Sequence, residues 1–210
     1  MKKAVLILAA CLLGGTAEGA NRLKDGGFET PLVANSPSCG GPLCAGFTVG
    51  QSIGPWSVVG PGQQAGDFAI LLINSAYAEG SLVFEAARGS QAIELTGSYD
   101  QGANGVEQSF ATTPGKSYDL SFAVGHADRD AYLPDSMVEV TINGTDFAMA
   151  DNGNVTPDRI SWKRFSYRFT ATGASTTVAL YNASTNSNYV GLDAVDVEPV
   201  TPPSSDPQSR

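Results

Sequence analysis

GVEQSFATTPGKSYDLSFAVG, from Gly105 to Gly125, holds two apolar alternations on either side of a turn signal. After Pro114-Gly115, the residues Tyr118, Leu120, Phe122 and Val124 alternate with Ser117, Asp119, Ser121 and Ala123, which is the period of a strand buried on one face. Ahead of it, Val106 and Phe110 share a parity, so the stretch predicts a hairpin closed by Thr113-Pro114-Gly115-Lys116 and an antiparallel sheet. Working outward, Val138, Val140 and Ile142 alternate up to Asn143-Gly144, a two-residue hairpin signal, and Phe147 and Met149 resume the pattern beyond it. Phe165, Tyr167 and Phe169 predict another strand, as do Val178 with Leu180 and the run from Tyr189 to Val197. Towards the N-terminus, Asn21–Glu29 reads as a strand start ending near Gly26-Gly27, and Trp56 shares a face with Val58. Phe68–Ile73, Leu82–Phe84 and Ala92–Leu95 are short apolar segments separated by Gly and Ser. No segment has helical length with a helical period. About eight to ten strands with almost no helix predict an all-β chain folded as a single jelly-roll β-sandwich.

The chain has 210 residues and a net charge of −9, with 12 Lys and Arg against 21 Asp and Glu and no basic run. Such a surface repels phosphate backbones, which argues against a nucleic-acid partner. Met1-Lys2-Lys3, the apolar run Ala4–Leu13 and small residues up to Ala20 predict a secretory signal over residues 1–20, too short to be a membrane span. The expected location is extracellular or periplasmic. Leu8-Ala9-Ala10-Cys11 offers a second reading, a lipobox that would tether the protein through Cys11. Residues 21–198 form the expected sandwich domain, and the Pro- and Ser-rich residues 199–210 the expected disordered tail. With the signal removed, Cys39 and Cys44 are the remaining pair, and an even count in an oxidising compartment predicts a disulfide. It closes a small loop, so its effect is local. Two thiolates with no nearby His are too few ligands for a metal, and there is no Cys-x-x-Cys for redox chemistry.

In order along the chain, NRLKDGGFE, IGPWSVVG, ARGSQAIELTG, VEQSFATTPGKSYDLSFAVG, WKRFSYRFTA and YVGLDAVDV resemble the motifs of galactose-binding-domain-like β-sandwiches. The resemblance is strongest to the secreted group called domain of unknown function 642, which is similar in turn to several carbohydrate-binding modules. It spans roughly Asn21 to Val197. The resemblance implies an extracellular jelly roll that attaches to wall, capsule or matrix polysaccharide and often holds a structural calcium ion. Glu29 and Asp193 are the expected calcium ligands, since neighbouring terminal strands would bring them together and Ca²⁺ takes six to eight oxygens. In the family the last strand commonly carries two adjacent acids; here the second is Ala194, and Asp196 is either a substitute or a surface residue. Glu29 could instead pair with Lys24.

Sugars present apolar faces that stack on flat rings and hydroxyls that take directional hydrogen bonds. Tyr77, Tyr99 and Tyr132 lie among polar turn residues and are the expected ligand surface, with Asp100, Gln101 and Asn104 beside Tyr99. The alternative is that these tyrosines pack their own loops. Trp56 is expected in the core. Trp162 has the parity of Arg164 and Ser166, so an unbroken strand would present it to a ligand and a bulge would return it to the core. His126 in GHADRD is read as a solvated loop residue, because no Gly-x-Ser-x-Gly elbow supplies a nucleophile. Glu79, Glu85, Glu94 and Glu107 could supply a hydrolase pair, but the sequence gives no rule for pairing them. The expectation is a non-catalytic polysaccharide-binding module. A protein partner bound through the same loops is the first alternative and a hydrolase the second.

Overall fold

The structure is a computed structural model that describes residues 20–34, 39, 41–62, 64–98, 103–127, 136–184 and 189–201. The first half of the chain forms short strands: β1 (Cys44–Phe47), β2 (Ser52–Ile53), β3 (Trp56–Val59), β4 (Ile70–Asn74), β5 (Ala78–Glu79), β6 (Leu82–Val83) and β7 (Gln91–Glu94). Longer ones follow: β8 (Gly105–Ala111), β9 (Ser117–Ala127), β10 (Ser136–Ile142), β11 (Thr145–Asn152), β12 (Ile160–Thr170), β13 (Ser175–Asn182) and β14 (Gly191–Pro199). One sheet runs β1-β4-β7-β14-β9-β12, the other β11-β10-β13-β8-β3-β2, and β5-β6 is a separate hairpin. No helix occurs among the described residues. The chain is an all-β sandwich.

The core lies between the two sheets. Leu120, Phe122 and Val124 of β9 are fully buried there, and they meet Val106 of β8, Val138 and Val140 of β10, and Val178 and Leu180 of β13 from the opposite side. Trp56 is fully buried against Phe28, with ring centroids 5.3 Å apart, and its indole N–H donates to the Asp25 carbonyl at 2.9 Å. That bond satisfies the polar end of an otherwise apolar ring.

β8 and β9 do not form the expected hairpin. β8 pairs with β13 and β3, while β9 pairs with β12 and β14, so the link between them crosses from one sheet to the other. The local turn forms, with Lys116 N–H donating to the Thr113 carbonyl, but the Gly115 N–H donates to Ala171 and that of Thr112 to Ala174. The crossing is thereby tied to the β12–β13 connection. Alternation marks the face a strand buries, and two strands opposed across a core bury the same kind of face as two strands side by side.

Asn143-Gly144 does join β10 to β11, with both residues at positive φ as the tight turn requires. A bulge at Val140/Thr141 then shifts the parity. Ala148 and Ala150 face the core, whereas Phe147 and Met149 turn outward, 39% and 51% exposed. Asn21–Glu29 is not a strand; it folds around the Asp25 carboxylate, which accepts from the Glu29 and Thr30 N–H groups at 2.7 and 3.0 Å. The ordered domain passes residue 198. Pro199 pairs with Tyr118, and the Val200 N–H donates to Ser117.

Candidate functional site

The outer face of the first sheet carries a second buried cluster. The register that sends Leu72, Ile93 and Leu192 into the core sends Leu71, Ile73 and Glu94 outward, beside Gly191. The β5–β6 hairpin covers this face with Leu82 and Phe84, joined by Ile160, Ala127 and Tyr189. The Cys39–Cys44 disulfide fixes the neighbouring loop.

Between these pieces lies a cleft of about 450 Å³. Tyr77, Phe84, Tyr189 and Phe68 supply its rings, and Asp67, Glu79 and Glu94 its carboxyl groups. Phe84 stands edge-on to both Tyr77 and Tyr189, with centroids 5.2 and 5.4 Å apart. The Tyr77 hydroxyl donates to Glu79 Oε1 at 2.9 Å. Trp162 borders the same cluster. β12 pairs with β9 without a bulge, so Trp162 stays on the outer face, half-buried, over Gly125 and Gly191. A Cβ on either glycine would come within 2.9 Å of the indole, so only glycine lets the ring lie that close to the sheet.

Glu94 sits at the cleft floor and is 3% exposed. Its Oε1 accepts from the Thr96 N–H at 2.6 Å and from the Thr96 hydroxyl, and Oε2 accepts from the Gly97 N–H at 3.0 Å. Burial pushes its carboxyl up to about 7, and these bonds only partly offset that.

Elsewhere on the domain, Glu29 and Asp193 grip one short strap. Glu29 Oε1 accepts from the Ser90 and Gln91 N–H groups at 2.8 and 3.2 Å, and Oε2 from the Ser90 hydroxyl at 2.6 Å. Asp193 Oδ2 accepts from the Arg88 N–H at 2.7 Å. The two carboxylates therefore hold neighbouring residues of the same strap, Asp193 at Arg88 and Glu29 at Ser90 and Gln91. Asp196 is ion-paired to Arg88 at 2.9 Å and Arg164 at 3.1 Å. Among the described residues no group of three or more His, Cys, Asp or Glu side chains is placed to hold a metal ion. Two carboxylates, one of them fully buried, fit the anionic part of a calcium site, and carbonyls would have to supply the remaining oxygens.

Of the expected ligand residues, Tyr77 and Trp162 come to the cleft cluster. Tyr99, Asp100, Gln101 and Tyr132 lie outside the described residues. Asn104 is fully buried, accepting from the Gly62 N–H at 3.4 Å with its Nδ2 unpartnered, so it offers nothing to a surface ligand. His126 is not solvated. It is 1% exposed in β9, its Nδ1 lies 2.8 Å from Ser136 Oγ, and that hydroxyl donates to the Tyr189 carbonyl at 2.8 Å. The pair props up a cleft residue. Asp67, Phe68, Phe84 and Tyr189 were not picked out by the sequence, and Glu79 and Glu94 appeared there only as unpaired acids. For Glu94 the signal was present, since Ile93 and Glu94 must face opposite ways.

A family model described as "Protein of unknown function (DUF642)" matches residues 21–197. Comparison with curated proteins gave no match. Among solved structures, a family 61 carbohydrate-binding module in complex with β-1,4-galactotriose is 15% identical, with a TM-score of 0.47 over 86% of this chain and 99% of that one. The CBM22-1 xylan-binding domain from Paenibacillus barcinonensis Xyn10C is 16% identical, with a TM-score of 0.45 over 76% of this chain and 94% of that one. An arabinose-bound α-L-arabinofuranosidase, MgGH51, is 9% identical with a TM-score of 0.50, covering 88% of this chain but 27% of its own. At these identities the likeness is one of fold.

Proposed function

The chain belongs to the DUF642 family, and from that premise we propose that it is an extracellular, non-catalytic module that binds a polysaccharide in the cleft on the outer face of its first sheet. The observation behind this reading is the cleft itself: about 450 Å³ of space walled by aromatic rings and carboxyl groups. Rings can stack on the apolar faces of sugar units, and carboxylates accept hydrogen bonds from their hydroxyls. The disulfide accords with an oxidising, extracellular setting. Within the same reading, Glu29 and Asp193 would hold a calcium ion, whose charge would offset theirs and tighten the strap between them. Retention of the mature chain on one class of immobilised polysaccharide is the expected result. Failure to bind any member of a broad panel would transfer the cleft to a protein partner. Chelation should lower the melting temperature, and a melting curve indifferent to free Ca²⁺ removes the ion from the proposal.

Three acids in one aromatic cleft also favour a second reading, glycoside hydrolysis. Against it, both Glu94 oxygens are occupied by Thr96 and Gly97. Turnover of chromogenic glycosides that is lost in Glu94→Gln would establish this reading instead.

A further inference from the structure

Asn-Gly occurs three times in the chain, at Asn104, Asn143 and Asn152. The pair carries its own chemistry, because glycine has no Cβ to hinder its backbone nitrogen from attacking the asparagine side-chain carbonyl carbon. The fold sets the three pairs in different surroundings. Asn104 is fully buried, and Gly105 after it opens β8 between Tyr181 of β13 and Val59 of β3, so strands on both sides hold the peptide that would have to turn. Asn152 is fully buried as well. Its Nδ2 donates to the Val124 and Ser161 carbonyls at 2.8 and 2.7 Å, and its Oδ1 accepts from the Asn154 N–H at 3.1 Å. Expelling that nitrogen would take the donor away from two carbonyls in a buried setting.

Asn143 is placed otherwise. With Gly144 it forms the exposed β10–β11 turn, and a Cβ built on Gly144 would meet nothing within 4 Å, so this peptide turns into open space. The Thr177 N–H donates to Asn143 Oδ1 at 2.8 Å. Attack on Cγ moves negative charge onto that oxygen, and an N–H already aimed at it stabilises the tetrahedral intermediate. We propose that Asn143 is the site at which this domain deamidates, and that folding protects Asn104 and Asn152. The Gly144 nitrogen gives its proton to hydroxide as its bond to Cγ forms; the Cγ–Nδ2 bond then breaks, and ammonia leaves with a proton from water. One water opens the resulting succinimide to aspartate or isoaspartate, so water is the only co-reactant. Aspartate keeps an acceptor for the Thr177 N–H and adds a negative charge to the turn. Isoaspartate puts an extra methylene into the backbone of a two-residue turn, which disturbs the pairing of Ile142 with Thr145.

The test incubates the mature chain at neutral and at mildly alkaline pH, with a parallel sample unfolded in urea. Peptide mapping by mass spectrometry follows the conversion of amide to acid at each of the three asparagines over time. In the folded chain Asn143 should react at least about tenfold faster than Asn104 or Asn152, and faster still at the higher pH, where hydroxide takes the Gly144 proton more readily. Unfolding should bring the three rates together, chiefly by raising those of Asn104 and Asn152, because only the shared Asn-Gly chemistry is then left. Gly144→Ala, checked for an unchanged fold by circular dichroism, should slow the reaction at Asn143, since a methyl group hinders the attacking nitrogen. Equal rates at the three sites in the folded chain, or a faster Asn104 or Asn152, overturn the proposal. So does a ranking that survives in urea, which would take the fold out of the cause, or a folded Gly144→Ala chain that deamidates at Asn143 as fast as before.

Discussion

The two faces of the first sheet are built by alternate residues of the same strands, yet they are closed in different ways. The inner face meets a second sheet and is filled mainly by apolar side chains, from Ile70 and Leu72 through Phe122 to Val197, while the fully buried Gln91 beside them is satisfied by the Phe28 and Pro31 carbonyls and the Val33 N–H. Among the described residues the outer face meets a two-stranded hairpin and a disulfide loop, and what it buries includes rings, carboxyl groups and empty space. A sheet covered by a sheet can be filled completely. A cover this small leaves a hollow, and groups at its edge keep access to solvent and ligand. The contrast separates residues that hold the domain together from residues free to recognise something.

Substitution at the centre of the inner face should show the largest effect. Phe122 is fully buried and stacks with Phe165 and Tyr167, so Phe122→Ala should cost about 3–5 kcal/mol in denaturant unfolding. A loss below about 1 kcal/mol would mean that the two faces are not distinct in this way. On the outer face the pH dependence is diagnostic. The unfolded Glu94 releases its proton near 4.5 and the folded one holds it until about 7, so the folded state binds the extra proton in between. Its contribution is therefore most favourable at the acid end and is lost as pH rises from 4.5 to about 7, by at most about 3 kcal/mol. Glu94→Gln should make the stability curve less steep over that window, leaving the like-signed contribution of Asp193, whose carboxyl burial also pushes up to about 7. Parallel curves for the two proteins would show that the carboxyl titrates normally.

Replacing Cys39 and Cys44 together by serine removes a short closed loop, and the expected loss is about 2 kcal/mol in unfolding. If the disulfide shapes the cleft wall, glycan retention should fall along with it; retention unchanged at equal folded fraction would confine the bridge to stability. The smallest shift is expected for Phe84→Leu, which keeps an apolar side chain but removes edge contacts to two tyrosines. Stability should fall by about 1 kcal/mol while glycan binding falls as well. A variant that binds normally would take the ring pair out of the recognition surface.

Much of the inner face could be read in the chain. Tyr118, Leu120, Phe122 and Val124 announce it, because a period of two leaves a strand one apolar side. The outer face was harder. Its rings come from Phe68, Tyr77, Phe84 and Tyr189, in short segments whose meeting depends on sheet order, and no local pattern encodes sheet order. Trp162 shows what parity can do: its odd placement in WKRFSYRF was a true record of an unbroken strand. Phe147 shows the limit, since one bulge reversed the face that simple alternation assigned to it. His126 went astray for another reason. GHADRD looks polar in sequence, but its first residues finish a central strand under the outer cluster.

The position of β14 also governs the order in which the molecule can be completed. In the first sheet it lies between β7 and β9, so β1-β4-β7 and β9-β12 share no strand contact until the last strand is inserted. A ribosome that has delivered everything up to Tyr189 has delivered two half-sheets and no finished wall. Completion of this sheet therefore waits for β14, which acts as its keystone.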